Sequence, residues 1–153
     1  MTTPTLLTTR DKNLDAACAS VVNEIVRTDG KASLLLAFTG AVLAGLTTFT
    51  DHDLSTATKA LGALAVAALG TAAVLLLLVV RPRLGGHDRA SFPYWARLNE
   101  TEIHTCMDGD TRAVRVRVLS TIALAKFTRL RRAVDCTLTA LALLAAAAVT
   151  AVL

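Results

Sequence analysis

A chain of 153 residues that is 54% hydrophobic, only 18% charged and 4% aromatic, with a mean hydropathy of +0.55, departs from the make-up of a water-soluble domain, in which about 25% of residues are charged. A net charge of +4 would raise nucleic acid as a partner in a soluble protein, but here the cations flank apolar runs, so membrane topology accounts for them and no nucleic acid is expected. The three cysteines, Cys18, Cys106 and Cys136, are odd in number, far apart and without a CxxC, which excludes a disulfide framework and a zinc module from the expected folds.

Taken in chain order, residues 1–31 are charged and mixed, and no secretory signal is expected, because the first apolar run begins only near Ala32. Leu14, Cys18, Val21, Val22 and Ile25 recur at three- and four-residue steps, which predicts an amphipathic helix over 1–31 running straight into a first membrane helix, 32–50. Gly30 sits at the junction, where a better helix former is expected, and it loosens the join. A turn, 51–59, comes next, with Asp53 or Ser55 as the N-cap of the second span, 60–80, which carries no charge over its whole length. The third span, 133–153, is again rich in Ala and Leu. At about 1.5 Å per residue, each run of roughly 20 residues matches a hydrocarbon layer of about 30 Å, and lipid requires that backbone hydrogen bonds be satisfied within the segment.

Between the second and third spans lies a basic stretch, 81–132. Its first part, 82–109, contains Gly85-Gly86 and Phe92-Pro93-Tyr94-Trp95 and is expected to be irregular or only partly helical. Asp108-Gly109-Asp110 offers a turn and an N-cap for a helix ahead of the third span. Val114, Val118, Leu119, Ile122, Ala125 and Leu130 have helical spacing. Val114, Val116 and Val118 also alternate with Arg115 and Arg117 as in a strand, but the helical pattern continues for about twelve residues more. The reading is an all-α membrane protein: three transmembrane helices, cytoplasmic helical stalk extensions and a short cytoplasmic insert. Of the sixteen Lys and Arg residues, fifteen lie in 1–31 and 81–132, and only Lys59 lies in the 51–59 turn. The positive-inside rule therefore places the N-terminus and the basic stretch in the cytoplasm, and the turn and C-terminus outside.

Chemistry-bearing motifs are sparse. His104-x-Cys106 has no further ligands in register, Gly85-Gly86 lacks the rest of a phosphate loop, and no nucleophile elbow is present, so neither a catalytic residue nor a metal site is expected. Small residues stand on single helix faces in the spans: Ala37, Ala41 and Gly45; Ala63, Ala67 and Gly70; Ala142, Ala146 and Thr150. Such spacing lets helices approach closely in lipid, within one protomer or between protomers. Asp135, early in the third span, is expected to pair with Arg131 or Arg132. The Phe92–Trp95 cluster reads either as an interfacial aromatic belt or as a surface on which a base stacks.

Three places resemble the Pycsar effector family of small bacterial membrane proteins: Arg27-x-Asp29-x-Lys31-Ala32-Ser33-Leu34-Leu35-Leu36 at the entry to the first span, Phe92-Pro93-Tyr94-Trp95 after the second, and Ile122-Ala123-Leu124-Ala125-Lys126-Phe127 with Leu130-Arg131 ahead of the third. The resemblance implies an antiphage effector in the inner membrane. A partner pyrimidine nucleotide cyclase makes cyclic CMP or cyclic UMP on infection, and the effector responds by impairing the membrane, ending in abortive infection. It implies no cofactor, only that nucleotide ligand, and a homo-oligomer is expected. A cyclic nucleotide carries one negative charge, which cations near the membrane surface complement. On that basis Arg27, Asp29, Lys31, Tyr94, Trp95, Lys126 and Arg129 are the candidate nucleotide contacts, with Lys126 facing the Asp29/Lys31 region across the stalks. Ala41, Gly45, Ala63, Ala67 and Gly70 are the candidate helix-packing residues. The rival readings are a constitutive holin-like pore and a passive membrane scaffold subunit.

Overall fold

A computed structural model of the chain describes residues 4–48, 55–82 and 91–152, with side chains from Thr9 onward and excepting Phe92. The alternative cap Asp53, the Gly85-Gly86 pair and the last two residues of the first expected span lie outside the described residues. Every regular element among the described residues is an α-helix: α1 (Pro4–Thr47), α2 (Thr56–Val80), α3 (Phe92–Trp95), α4 (Glu100–Met107) and α5 (Arg112–Val152). Three of them, α1, α2 and α5, are long and apolar enough to cross a membrane.

Local chemistry explains where the helices start and stop. Ser55 caps α2: its side chain accepts the Thr58 N–H at 3.2 Å, satisfying one of the four amide donors that a helix start leaves without partners. Asn99 and Glu102 form a reciprocal capping box at the start of α4, at 2.9 Å each way. Asp110 accepts the Arg112 N–H at 3.1 Å and so fixes the first turn of α5. Gly30 does not interrupt α1, which is continuous through it. The helical spacing of 114–130 prevails over the short Val/Arg alternation, and α5 runs unbroken from Arg112 through the whole third span.

The chain divides into two compact units. The first comprises Met1–Arg27 and Pro82–Ala125. The larger parts of the two basic segments therefore fold together. One arginine bridges them: the Arg112 guanidinium reaches Asp11 at 2.9 Å and Asp15 at 3.3 Å on α1, and Asp110 at 3.0 Å beside it. Cys18 Sγ donates to the Arg112 carbonyl at 3.8 Å. Asp11, Asp15 and Cys18 succeed one another at four- and three-residue steps, so a single face of α1 makes all of these contacts. Hydrogen bonds from the Arg112 side chain and backbone hold the Asp110 carboxyl below its ordinary 3.8, and Asp110 in turn raises the Arg112 guanidinium.

The second unit comprises Thr28–Arg81 and Lys126–Leu153. It is a three-helix bundle. On α2 the buried residues are Thr58, Ala65, Leu69, Ala72, Leu76 and Val79, a succession of three-, four- and seven-residue steps. That heptad spacing is the seam of a left-handed bundle. Opposite it, Ala32 on α1 and Leu130 and Ala133 on α5 close a core with Leu76 and Val79, backed by Leu35, Leu36 and Leu75. Large side chains from α2 thus fill space that small ones on its neighbours leave. Buried threonines do not violate the apolar setting: Thr39 donates back to the Leu35 carbonyl at 2.8 Å and Thr137 to Ala133 at 2.9 Å. At the far end Thr58 and Thr150 hydroxyls meet at 3.1 Å. Leu34, Leu64, Leu77, Leu138 and Val149 are each more than half exposed. In water such a surface would aggregate; in a bilayer it is the lipid-facing surface.

Candidate functional site

Just ahead of the third span, one face of α5 carries two cations. Lys126 and Arg129 are three residues apart on α5 and so lie side by side. Lys126 Nζ donates to both carboxylate oxygens of Asp29 on α1, at 2.5 and 2.7 Å, with the Lys126 side chain 13% and the Asp29 side chain 36% exposed. Arg129 Nη1 donates to the Leu78 carbonyl of α2 at 3.3 Å. That carbonyl is one of the last four of α2, which no intrahelical amide satisfies; the neighbouring Leu77 carbonyl takes the Arg81 N–H at 2.9 Å. A cation there also meets the negative end of the α2 dipole. From one turn of α5, then, one side chain ties down α1 and the other ties down α2.

These ties sit directly above the bundle core. Ala32 is one turn beyond Asp29, and Leu130 and Ala133 are one and two turns beyond Lys126. The ion pair thus borders the first layer of packed side chains and not a loop.

The remaining candidates fall elsewhere. Lys31 is exposed. Arg27 directs its guanidinium to Glu24 on its own helix, at 3.3 Å, and belongs to the first unit. Tyr94 and Trp95 form the second half of the single turn α3 in the first unit and are half-buried. Tyr94 lines an open cleft of about 330 Å³ with Leu98, Thr101, Glu102, Thr105 and Cys106. Its lining includes a carboxylate and no cation, so it does not suit a phosphate. Among the described residues no group of His, Cys, Asp and Glu is placed to hold a metal ion.

The small-residue faces need a correction as far as packing inside one chain is concerned. Ala41, Gly45, Ala63 and Ala67 are exposed, Gly70 is only half-buried, and a side chain added at Gly45 or Gly70 would meet nothing within 4 Å. The helices meet on the Leu69–Leu76–Val79 face instead, because larger side chains interlock there with alanines across the gap. Asp135 is exposed, and among the described residues it forms no ion pair with Arg131 or Arg132. Sequence reasoning missed the Arg112 clamp. Its signal was present as two acids one helical turn apart, Asp11 and Asp15, on the edge of the apolar stripe that contains Leu14 and Cys18.

Compared with known families, residues 13–153 match the model of the Pycsar effector protein domain. No curated protein and no solved structure matches the chain.

Proposed function

We propose, from the premise that the chain belongs to the Pycsar effector protein family, that this multi-pass membrane protein of antiphage defence is a non-catalytic effector gated by a cyclic pyrimidine nucleotide. Cyclic CMP or cyclic UMP, made by a partner cyclase during infection, reaches the cytoplasmic face of the inner membrane, and the effector then impairs that membrane. The observation that carries this reading is the family match over 13–153. The site chemistry supports it. Lys126 and Arg129 are a pair of adjacent cations above a packed three-helix bundle, and a monoanionic nucleotide is an effective competitor for such cations. A ligand that changes how α5 holds α1 or α2 changes the bundle itself, provided it binds one arrangement better than the other.

The test uses the full chain in liposomes loaded with a self-quenched dye. Cyclic CMP or cyclic UMP releases the dye, while cyclic AMP and nucleotide-free buffer do not. Calorimetry on the same protein shows binding of the releasing nucleotide. No binding and no release with either pyrimidine nucleotide overturns the reading. Release at the same rate without nucleotide would instead favour a constitutive pore.

A further inference from the structure

We infer that Lys126 and Arg129 form a binding site for a phosphate ester, and that Asp29 occupies it in the resting protein as an internal surrogate for the ligand. The inference rests on the proposed function only for the source of the phosphate; the site itself is read from the geometry.

The Lys126 side chain is mostly buried, and its ammonium is held by both oxygens of a carboxylate. A carboxylate and a phosphodiester present the same thing to a cation, one negative charge shared by two oxygens. Exchanging one for the other leaves the charge of the site unchanged, which matters at the rim of an apolar bundle, where an unpaired ion is costly. Arg129, three residues on, adds the planar fork that suits a phosphate better than a single carboxylate. At present its Nη1 is bound to the Leu78 carbonyl at 3.3 Å, a long contact to a neutral acceptor that an anion readily replaces.

The exposures set the order of events. Asp29 is more than a third exposed while Lys126 is not, so an incoming anion meets the carboxylate edge of the pair, and Asp29 has a route into water when it leaves. The exchange removes the ion pair that joins α1 to α5 one turn above Ala32. The carboxylate is thus an autoinhibitory contact, and the phosphate ester is its competitor. Because the site is at the head of a membrane span, the phosphate can come from a soluble nucleotide or from an anionic lipid headgroup, and the chemistry of recognition is shared.

The experiment measures binding and dye release for the full chain in two kinds of vesicle, pure phosphatidylcholine and phosphatidylcholine with phosphatidylglycerol, each with and without cyclic CMP or cyclic UMP. If Asp29 fills the site about nine-tenths of the time, the apparent affinity of a competitor is reduced about tenfold. Asp29→Asn should therefore bind the phosphate ester about tenfold more tightly and leak dye at lower concentration, and Asp29→Glu should restore the resting behaviour. Arg129→Gln, which leaves no buried charge unpaired and loses only an exposed contact to the Leu78 carbonyl, should weaken binding several-fold in a protein that still folds. It keeps the inference testable if Asp29→Asn folds poorly.

A response in phosphatidylcholine vesicles to nucleotide alone assigns the phosphate to the nucleotide. A response to phosphatidylglycerol without nucleotide assigns it to the headgroup, leaving the site standing and removing the nucleotide reading. If wild-type protein binds a nucleotide but neither Asp29→Asn nor Arg129→Gln changes its affinity, the surrogate site is wrong while the proposed function survives.

Discussion

The Lys126–Asp29 pair stabilises the bundle in the absence of any ligand. Removing one partner of a fully buried ion pair costs about 3–5 kcal/mol, because the other charge is left stranded. An exposed pair contributes about 0–1 kcal/mol. Here the ammonium lies near the buried end of that range and the carboxylate nearer the exposed end. Asp29→Asn strands the ammonium and should cost about 2 kcal/mol. Lys126→Met strands only the carboxylate, which reaches water, and should cost about 1 kcal/mol. The double variant replaces the pair by an amide and a thioether and should also cost about 1 kcal/mol, so that the two single losses together exceed the double by about 2 kcal/mol. The assay is SDS unfolding in mixed micelles, followed by alkylation of Cys136, half-buried in the bundle, in a Cys18→Ser, Cys106→Ser background. If the two single losses add up to the double within about 0.5 kcal/mol, the pair is not energetically coupled. The use of Asp29 as a latch would then have no physical basis.

Three smaller predictions address other parts of the molecule. Thr58→Val removes the hydroxyl contacts to Ser55 at 2.8 Å and to Thr150 at 3.1 Å and should lower bundle stability by about 1 kcal/mol, each such hydrogen bond in lipid being worth about 0.6 kcal/mol; no measurable loss in the same unfolding assay would mean that these contacts do not hold the helix ends together. Gly45→Ala should stabilise the single chain by about 0.5–1 kcal/mol, since the added methyl meets nothing and glycine is a poor helix former. Gly45→Leu should instead break any assembly through that face, read as a loss of crosslinked oligomers. Asp110 has its carboxyl lowered from 3.8 by Arg112, so its contribution to holding the start of α5 is present at neutral pH and lost only as the pH falls below about 3.8 and through the lowered value. A carboxyl NMR titration of Asp110 that moves back to the ordinary range in Arg112→Gln would bear this out; an unchanged titration would refute it.

How much of the molecule is legible in the sequence depends on the range of the forces involved. The membrane spans are local: an uninterrupted apolar run as long as 60–80 has no other stable use, and α2 lies where that run lies. Ser55 is visible as a cap because capping acts over three residues. The seam between helices is not visible. Alanine is so frequent in all three spans that small-residue spacing occurs on several faces, and which face is buried is decided by where Leu69, Leu76 and Val79 find space on their neighbours. Polar contacts between distant segments lie in between. The family resemblance suggests that Lys126 faces the Asp29/Lys31 region, and in the structure its ammonium meets the Asp29 carboxylate. The Arg112 clamp is only half legible: Asp11 and Asp15 stand out as two acids one turn apart, but their partner is fixed by the fold that brings residue 112 to them.

One ion pair is too weak to work a membrane switch alone, and the number of sites needed can be worked out. Moving an equilibrium from about 1:99 to about 99:1 takes roughly 5.5 kcal/mol of differential binding. If exchanging Asp29 for a phosphate ester supplies only the coupling of the pair, it supplies about 2 kcal/mol, or roughly thirtyfold. A single chain would therefore go from about 1% active to only about a quarter active at saturation. Three such sites acting on one bundle of chains would suffice. The exposed faces at Ala41, Gly45, Ala63 and Ala67 are small enough to let neighbouring chains approach closely in lipid. Dye release should accordingly rise with nucleotide concentration at a Hill coefficient above about 2. A hyperbolic curve that still reaches complete release would show that one exchange suffices. The pair would then have to be far stronger than its exposure allows, or the switch would lie elsewhere in the chain.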